Sequence, residues 1–108
     1  MISLIILFLS KIIYILMLEF FVELIGTFIF LSVIIQSSSF GSVGALAIGL
    51  TLAAVIYFGG KVSGGHFNPA VSTMFWMDKK LSSAKLICHI VAQLLGAVLA
   101  FFFSKLIK

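Results

Sequence analysis

The segment Ser63–Trp76, SGGHFNPAVSTMFW, decides how this chain folds. It holds the only proline, a histidine and an asparagine within a sequence that is 63% hydrophobic and 9% charged. Pro69 disfavours helical backbone at Asn68, and the preceding GGKVSGGHF cannot comfortably continue a helix. PAVSTMFW can begin one, with Asn68 as N-cap and Pro69 at the first helical position, where its missing N–H is no loss. Residues 69–76 rise only about 12 Å, less than half of a hydrocarbon core of about 30 Å. The expectation is a half-helix that starts inside the membrane. Backbone that is not helical at that depth is tolerated only where it packs in protein or lines a wet cavity, because each unpaired amide in hydrocarbon costs several kcal/mol.

Working outward, the rest of the chain reads as membrane spans. No water-soluble domain of 108 residues would present this composition to water, and the length allows three or four spans with no separate soluble domain. Met1 to Ile35 is too long for a single span. The economical division puts the first span at about 18–36 and leaves residues 1–16 as an extra N-terminal hydrophobic segment. That segment is compatible with an interfacial helix, an overhang of the same helix, or a start misplaced from Met17. SSSFGSVG (Ser37–Gly44) reads as a short loop, the second span as about 45–58, and the last as about 86–107. Gly44, Ala47, Gly49, Ala53 and Ala54 in the second span, and Gly96, Ala97 and Ala100 in the last, suit close helix packing. Gln93 and Gly96 read as helix packing, Cys88 and His89 as packed side chains, and Phe75 and Trp76 as interfacial anchors.

The net charge of +4 comes from seven lysines against Glu19, Glu23 and Asp78, with no arginine. The lysines are dispersed between apolar spans, which marks membrane flanks and gives no nucleic-acid surface. One cysteine excludes an internal disulfide and a cysteine metal site. No nucleophile–base pair, paired catalytic carboxylates, phosphate loop or metal-ligand spacing is present, so the expectation is a non-enzyme without cofactor or metal.

A half-helix starting at midplane points free N–H groups and about half a positive charge into its cavity. Asn68 adds an amide donor there, and Gly64 and Gly65 let backbone carbonyls face the lumen. Such a wall repels cations and suits a neutral hydrogen-bonding solute such as water or a small polyol. Glu23, a carboxylate inside a span, is costly and hence functional or structural by default.

At these residues the chain resembles the aquaporins and glycerol facilitators, the major intrinsic proteins. SGGHFNPAVS is similar to that family's first Asn-Pro-Ala box, ELIGTF (Glu23–Phe28) to its first helix, ALAIGLTLA to its second and AQLLGAVLA to its third. The resemblance implies an all-α transmembrane fold, half of an aquaporin-like channel, with three spanning helices plus the reentrant half-helix starting at Asn68. It implies that Asn68 orients permeating molecules, that Pro69 and Ala70 meet a second box, and that Glu23 holds the loop while His66 packs beside the box. Ile48 falls at the outer filter position, where the family commonly carries an aromatic residue, and Lys61 replaces a frequent histidine. With one proline and no arginine, neither a second box nor the family's filter arginine is expected.

The function implied is therefore half of a passive channel for water or a small neutral solute such as glycerol, in a multi-pass protein of the cell membrane. An inverted second copy or a separate C-terminal half would close the pore, as a homo-oligomer or heterodimer. The lysines favour one orientation over dual topology. The rivals are a small multidrug-resistance-type proton-coupled transporter using Glu23, to which ELIGT is similar, a small lysis protein, and a non-functional truncated channel fragment.

Overall fold

The computed structural model describes all 108 residues and is entirely helical, with no strands. Helix α1 spans Ile2–Gln36, a 3-10 helix follows at Ser37–Val43, and α2 spans Gly44–Ser63. The short α3 spans Pro69–Met77, and α4 spans Ser83–Leu106. Two helical stretches are long and apolar enough to cross a membrane: Ile2–Ser63, which contains a kink at Gly41, and Ser83–Leu106.

Of the alternatives for residues 1–16, the structure shows the overhang of the first helix, and two other local expectations change. Residues 1–16 form no separate element. They continue α1 without a break, so the helix is 35 residues long, about 52 Å. The Ser/Gly cluster is a 3-10 helix with a single non-helical residue, Gly41, at φ 61°. Most consequentially, α2 runs through Gly59, Gly60 and Lys61 to Ser63. What stops it is Gly64, whose φ of 92° is the left-handed conformation that ends helices, with its N–H bonded to Gly60 O at 2.9 Å.

The distribution of side chains is inverted relative to a water-soluble domain. The buried residues include Glu19, Glu23, Thr27, Ser63, His66, Ser72, His89, Gln93 and Ser104, whereas Val55, Phe67, Ala92 and Ala100 are the buried hydrophobic ones. Leucine, isoleucine and phenylalanine side chains cover the outside of every long helix. In lipid this is the stable arrangement, because tails solvate apolar surface as well as protein does, while each polar group needs an internal partner. The chain is an integral membrane protein.

α1 packs against α2 and α4, and α3 packs against α4. The α1–α4 approach is close enough that a Cβ on Gly96 would stand 2.9 Å from Leu24 O and 3.1 Å from Phe28 N. Small residues at such crossings let backbones touch, which is how membrane helices associate without a hydrophobic drive between them.

Candidate functional site

The site begins with Glu23, whose side chain is 0% exposed. Its position in α1 points it at the chain reversal between α2 and α3. Glu23 Oε2 accepts from the Ser63 hydroxyl at 2.6 Å and from His66 N–H at 3.1 Å. Oε1 accepts from Phe67 N–H at 2.8 Å and from Gln93 Nε2 at 2.7 Å. Four donors on two oxygens satisfy an ionised carboxylate that would otherwise be untenable away from water. The same bonds occupy the backbone N–H groups that the broken helix leaves free.

Phe67 has φ 51°, an uncommon conformation for a bulky residue and one that costs about 1–3 kcal/mol. The bond from its N–H to Glu23 holds it there, and its ring lies against the bare backbones of Gly26 and Gly59. Asn68 follows in extended conformation (φ −162°, ψ 123°), and its Oδ1 accepts from Ala70 N–H at 2.9 Å. Ser72 N–H to Asn68 O, 3.1 Å, closes the first turn of α3. The Asn68 Nδ2 group has no partner in the protein, and Asn68 and Ala70 are exposed.

A second polar group lies behind this wall. His66 Nδ1 is 2.8 Å from Ser72 Oγ and 3.2 Å from His89 Nδ1, and its ring stacks on Phe75 with centroids 4.9 Å apart. His89 Nε2 is 3.0 Å from Glu19 Oε1, and Lys85 Nζ is 2.9 Å from Glu19 Oε2. Gln93 Nε2 donates to Ser72 Oγ at 3.0 Å, joining this group to Glu23. Glu19, His66 and Lys85, with Ser63, Gly64, Phe75 and Lys80, border a cleft of about 360 Å³.

The family pattern described as major intrinsic protein matches residues 16–108. The chain belongs to the major intrinsic protein family. Among its relatives, aquaporin Z of Photorhabdus laumondii is 39% identical over 88 residues, 72% of this chain and 38% of the relative. Glycerol uptake facilitator protein-like 6 of Lactiplantibacillus plantarum is 38% identical over 87 residues, 76% of this chain and 40% of the relative. The lens fiber major intrinsic protein of Ovis aries is 50% identical over 54 residues, half of this chain and 20% of the relative. This major intrinsic protein thus spans about two fifths of the length of the first two relatives.

The structure brings Glu23, Gly64, Gly65, His66, Asn68, Pro69 and Ala70 together around the start of α3. Gly65 and His66 are buried, Pro69 half-buried and Gly64 exposed. Ile48 stands apart: it lies half-buried on α2, eleven residues before Gly59, or about 16 Å along the helix. Phe75, read as an interfacial anchor, instead packs on His66, whereas Trp76 is exposed and donates to Ser83 Oγ at 3.1 Å. Reading the sequence missed Glu19, Ser72, Lys85, His89 and Gln93 as members of one cluster. A signal was present. Glu19, Glu23 and Thr27 recur every four residues on α1, and Lys85, His89 and Gln93 do so on α4, giving two polar stripes in otherwise apolar helices.

Proposed function

We propose that this chain forms half of a passive channel for water or a small neutral solute such as glycerol, in a multi-pass protein of the cell membrane. Its working surface is Asn68, Pro69 and Ala70, at the tip of a reentrant half-helix. One observation carries the reading: Asn68 uses its carbonyl to cap α3 and keeps its NH₂ group free on an exposed surface. The depth fits. Phe67 lies against Gly26, eight residues or about 12 Å beyond Leu18, and Ser72 is bonded to Gln93, ten residues into the 24 of α4.

A free amide donor beside the positive end of a short helix holds the oxygen of a passing neutral molecule and disfavours cations. Glu23, tied on both oxygens, serves as the support that keeps this donor in place. Its four bonds speak against the proton-coupled transporter, which needs a carboxylate free to exchange its proton. The exposed face of Asn68 is completed by an opposing half, in an inverted second copy or in a C-terminal half of the same architecture. Ile48 and Lys61 then face the two approaches to the passage.

The test is osmotic shrinkage of proteoliposomes followed by stopped flow, with the chain alone and fused to the C-terminal half of the Photorhabdus aquaporin Z. The fusion is expected to shrink faster than protein-free vesicles, with glycerol gradients then reporting selectivity. A well-folded fusion as slow as empty vesicles to both solutes contradicts the reading.

A further inference from the structure

A groove of about 300 Å³ runs between α1 and α2, and no residue of the Asn68–Ala70 box borders it. Its floor is the Phe67 ring, laid against Gly26 and Gly59, and all three residues are buried. The missing glycine side chains let the ring sink between the helices: a Cβ on Gly59 would stand 2.6 Å from Val22 Cγ1. The rims are Ile25 and Phe58, which are 54% and 83% exposed. Val22, Ile29 and Val55 complete the walls, so no polar side chain faces the interior.

The helices give the depth of this groove. Val22 and Ile29 lie four and eleven residues beyond Leu18, or about 6 and 16 Å, in a leaflet whose hydrocarbon is about 15 Å thick. The groove therefore follows α1 through the hydrocarbon of one leaflet, as an acyl chain does. Gly59 meets Val22, which puts Lys61, two residues nearer the end of α2, about 3 Å inside the edge of the core. A lysine at this depth extends its ammonium to the headgroups. Lys61 is one turn from the rim residue Phe58, is exposed and has no ion pair, whereas Lys80 and Lys85 are held by Asp78 and Glu19. An apolar trough with a free cation at its headgroup end complements an anionic amphiphile. A second protein helix fits it poorly, because membrane helices approach closely through small residues at the contact. Here the small residues lie on the floor, beneath two bulky rims.

We infer that the groove holds one acyl chain of an anionic phospholipid from the leaflet on the Lys61 side, with the lipid phosphate on the Lys61 ammonium. The tail lies on the Phe67 ring and adds van der Waals contacts to a residue held at φ 51° immediately before Asn68. Bound lipid thereby steadies the connection that presents the box. Its consequence for flux rests on the channel reading: the phosphate draws the Lys61 ammonium out to the headgroups and off the approach to the passage.

Native mass spectrometry of the whole chain in detergent, with dioleoyl phosphatidylglycerol or dioleoyl phosphatidylcholine added, tests the site. One phosphatidylglycerol is expected to be retained about fivefold more tightly than phosphatidylcholine, the equivalent of about 1 kcal/mol for one lysine near an anionic surface. Lys61→Gln is expected to abolish this preference while keeping the tail. Lys79→Gln, at another exposed lysine without an ion pair, is expected to leave it unchanged. Ile25→Ala combined with Phe58→Ala removes both rims at exposed positions, so the melting temperature without lipid is expected to hold. Retention of both lipids should fall in that variant, and the rise in melting temperature that phosphatidylglycerol gives the unaltered chain should disappear. Equal losses in Lys61→Gln and Lys79→Gln, unchanged retention without the rims, or a second copy of the chain held in place of lipid overturns the inference. The readout uses no flux, so its failure leaves the channel reading standing, and a failed flux assay leaves the lipid site standing.

Discussion

At the scale of single residues, the connection between α2 and α3 is held mainly by one carboxylate. Glu23→Ala would orphan the Ser63 hydroxyl and the N–H groups of His66 and Phe67, and would leave Gln93 Nε2 with Ser72 Oγ alone. Each orphaned donor costs about 1–3 kcal/mol. The variant is expected to lose its cooperative thermal transition in detergent, while Glu23→Gln, which still accepts on one oxygen, loses part of its stability. Asn68 separates two roles. Asn68→Ala removes the cap on Ala70 N–H and should cost about 1 kcal/mol. Asn68→Asp keeps the cap, and hence the stability, but replaces the free donor with a carboxylate oxygen. In the fused channel it is expected to slow water flux without lowering the melting temperature. The box and Glu23 were legible because a proline and a buried acid are conspicuous in apolar sequence. Glu19 and His89 were not, since each looks unremarkable alone and their meaning comes from contact across helices 70 positions apart.

At the scale of elements, close approach decides which glycines matter. Gly96→Val should push α4 from α1, because its Cβ would stand 2.9 Å from Leu24 O, and overpacking of this kind costs about 1–3 kcal/mol. Gly49→Ala, with nothing within 4 Å of the added carbon and a helical backbone, is expected instead to raise stability by about 0.5–1 kcal/mol. Thermal unfolding of the two variants side by side measures the contrast. The short α3 was legible from Asn68 and Pro69, which start it by local chemistry. The end of α2 was not: Gly59 and Gly60 look like a stop, yet remain helical, and the chain turns at Gly64. The conformation that completes the turn, at Phe67, is held by the distant carboxylate of Glu23.

At the scale of the molecule, polar groups inside and hydrocarbon outside identify lipid as the solvent, and composition alone conveyed this. The N-terminal overhang illustrates what composition does not convey. Residues 1–15 are all exposed and contribute no side chain to the Glu23 cluster, so deleting them is expected to leave the melting temperature of the site-bearing remainder unchanged.

The central claim is that α3 begins midway through the bilayer beside an aqueous passage. A nitroxide attached to Ala70→Cys, in a Cys88→Ser background, reports its depth directly through relaxation by oxygen and by a water-soluble nickel chelate. The account predicts a position about 15 Å below the edge of the hydrocarbon core, with a label at Lys80→Cys at headgroup level. A label at residue 70 that reads headgroup depth, like the one at 80, would contradict it.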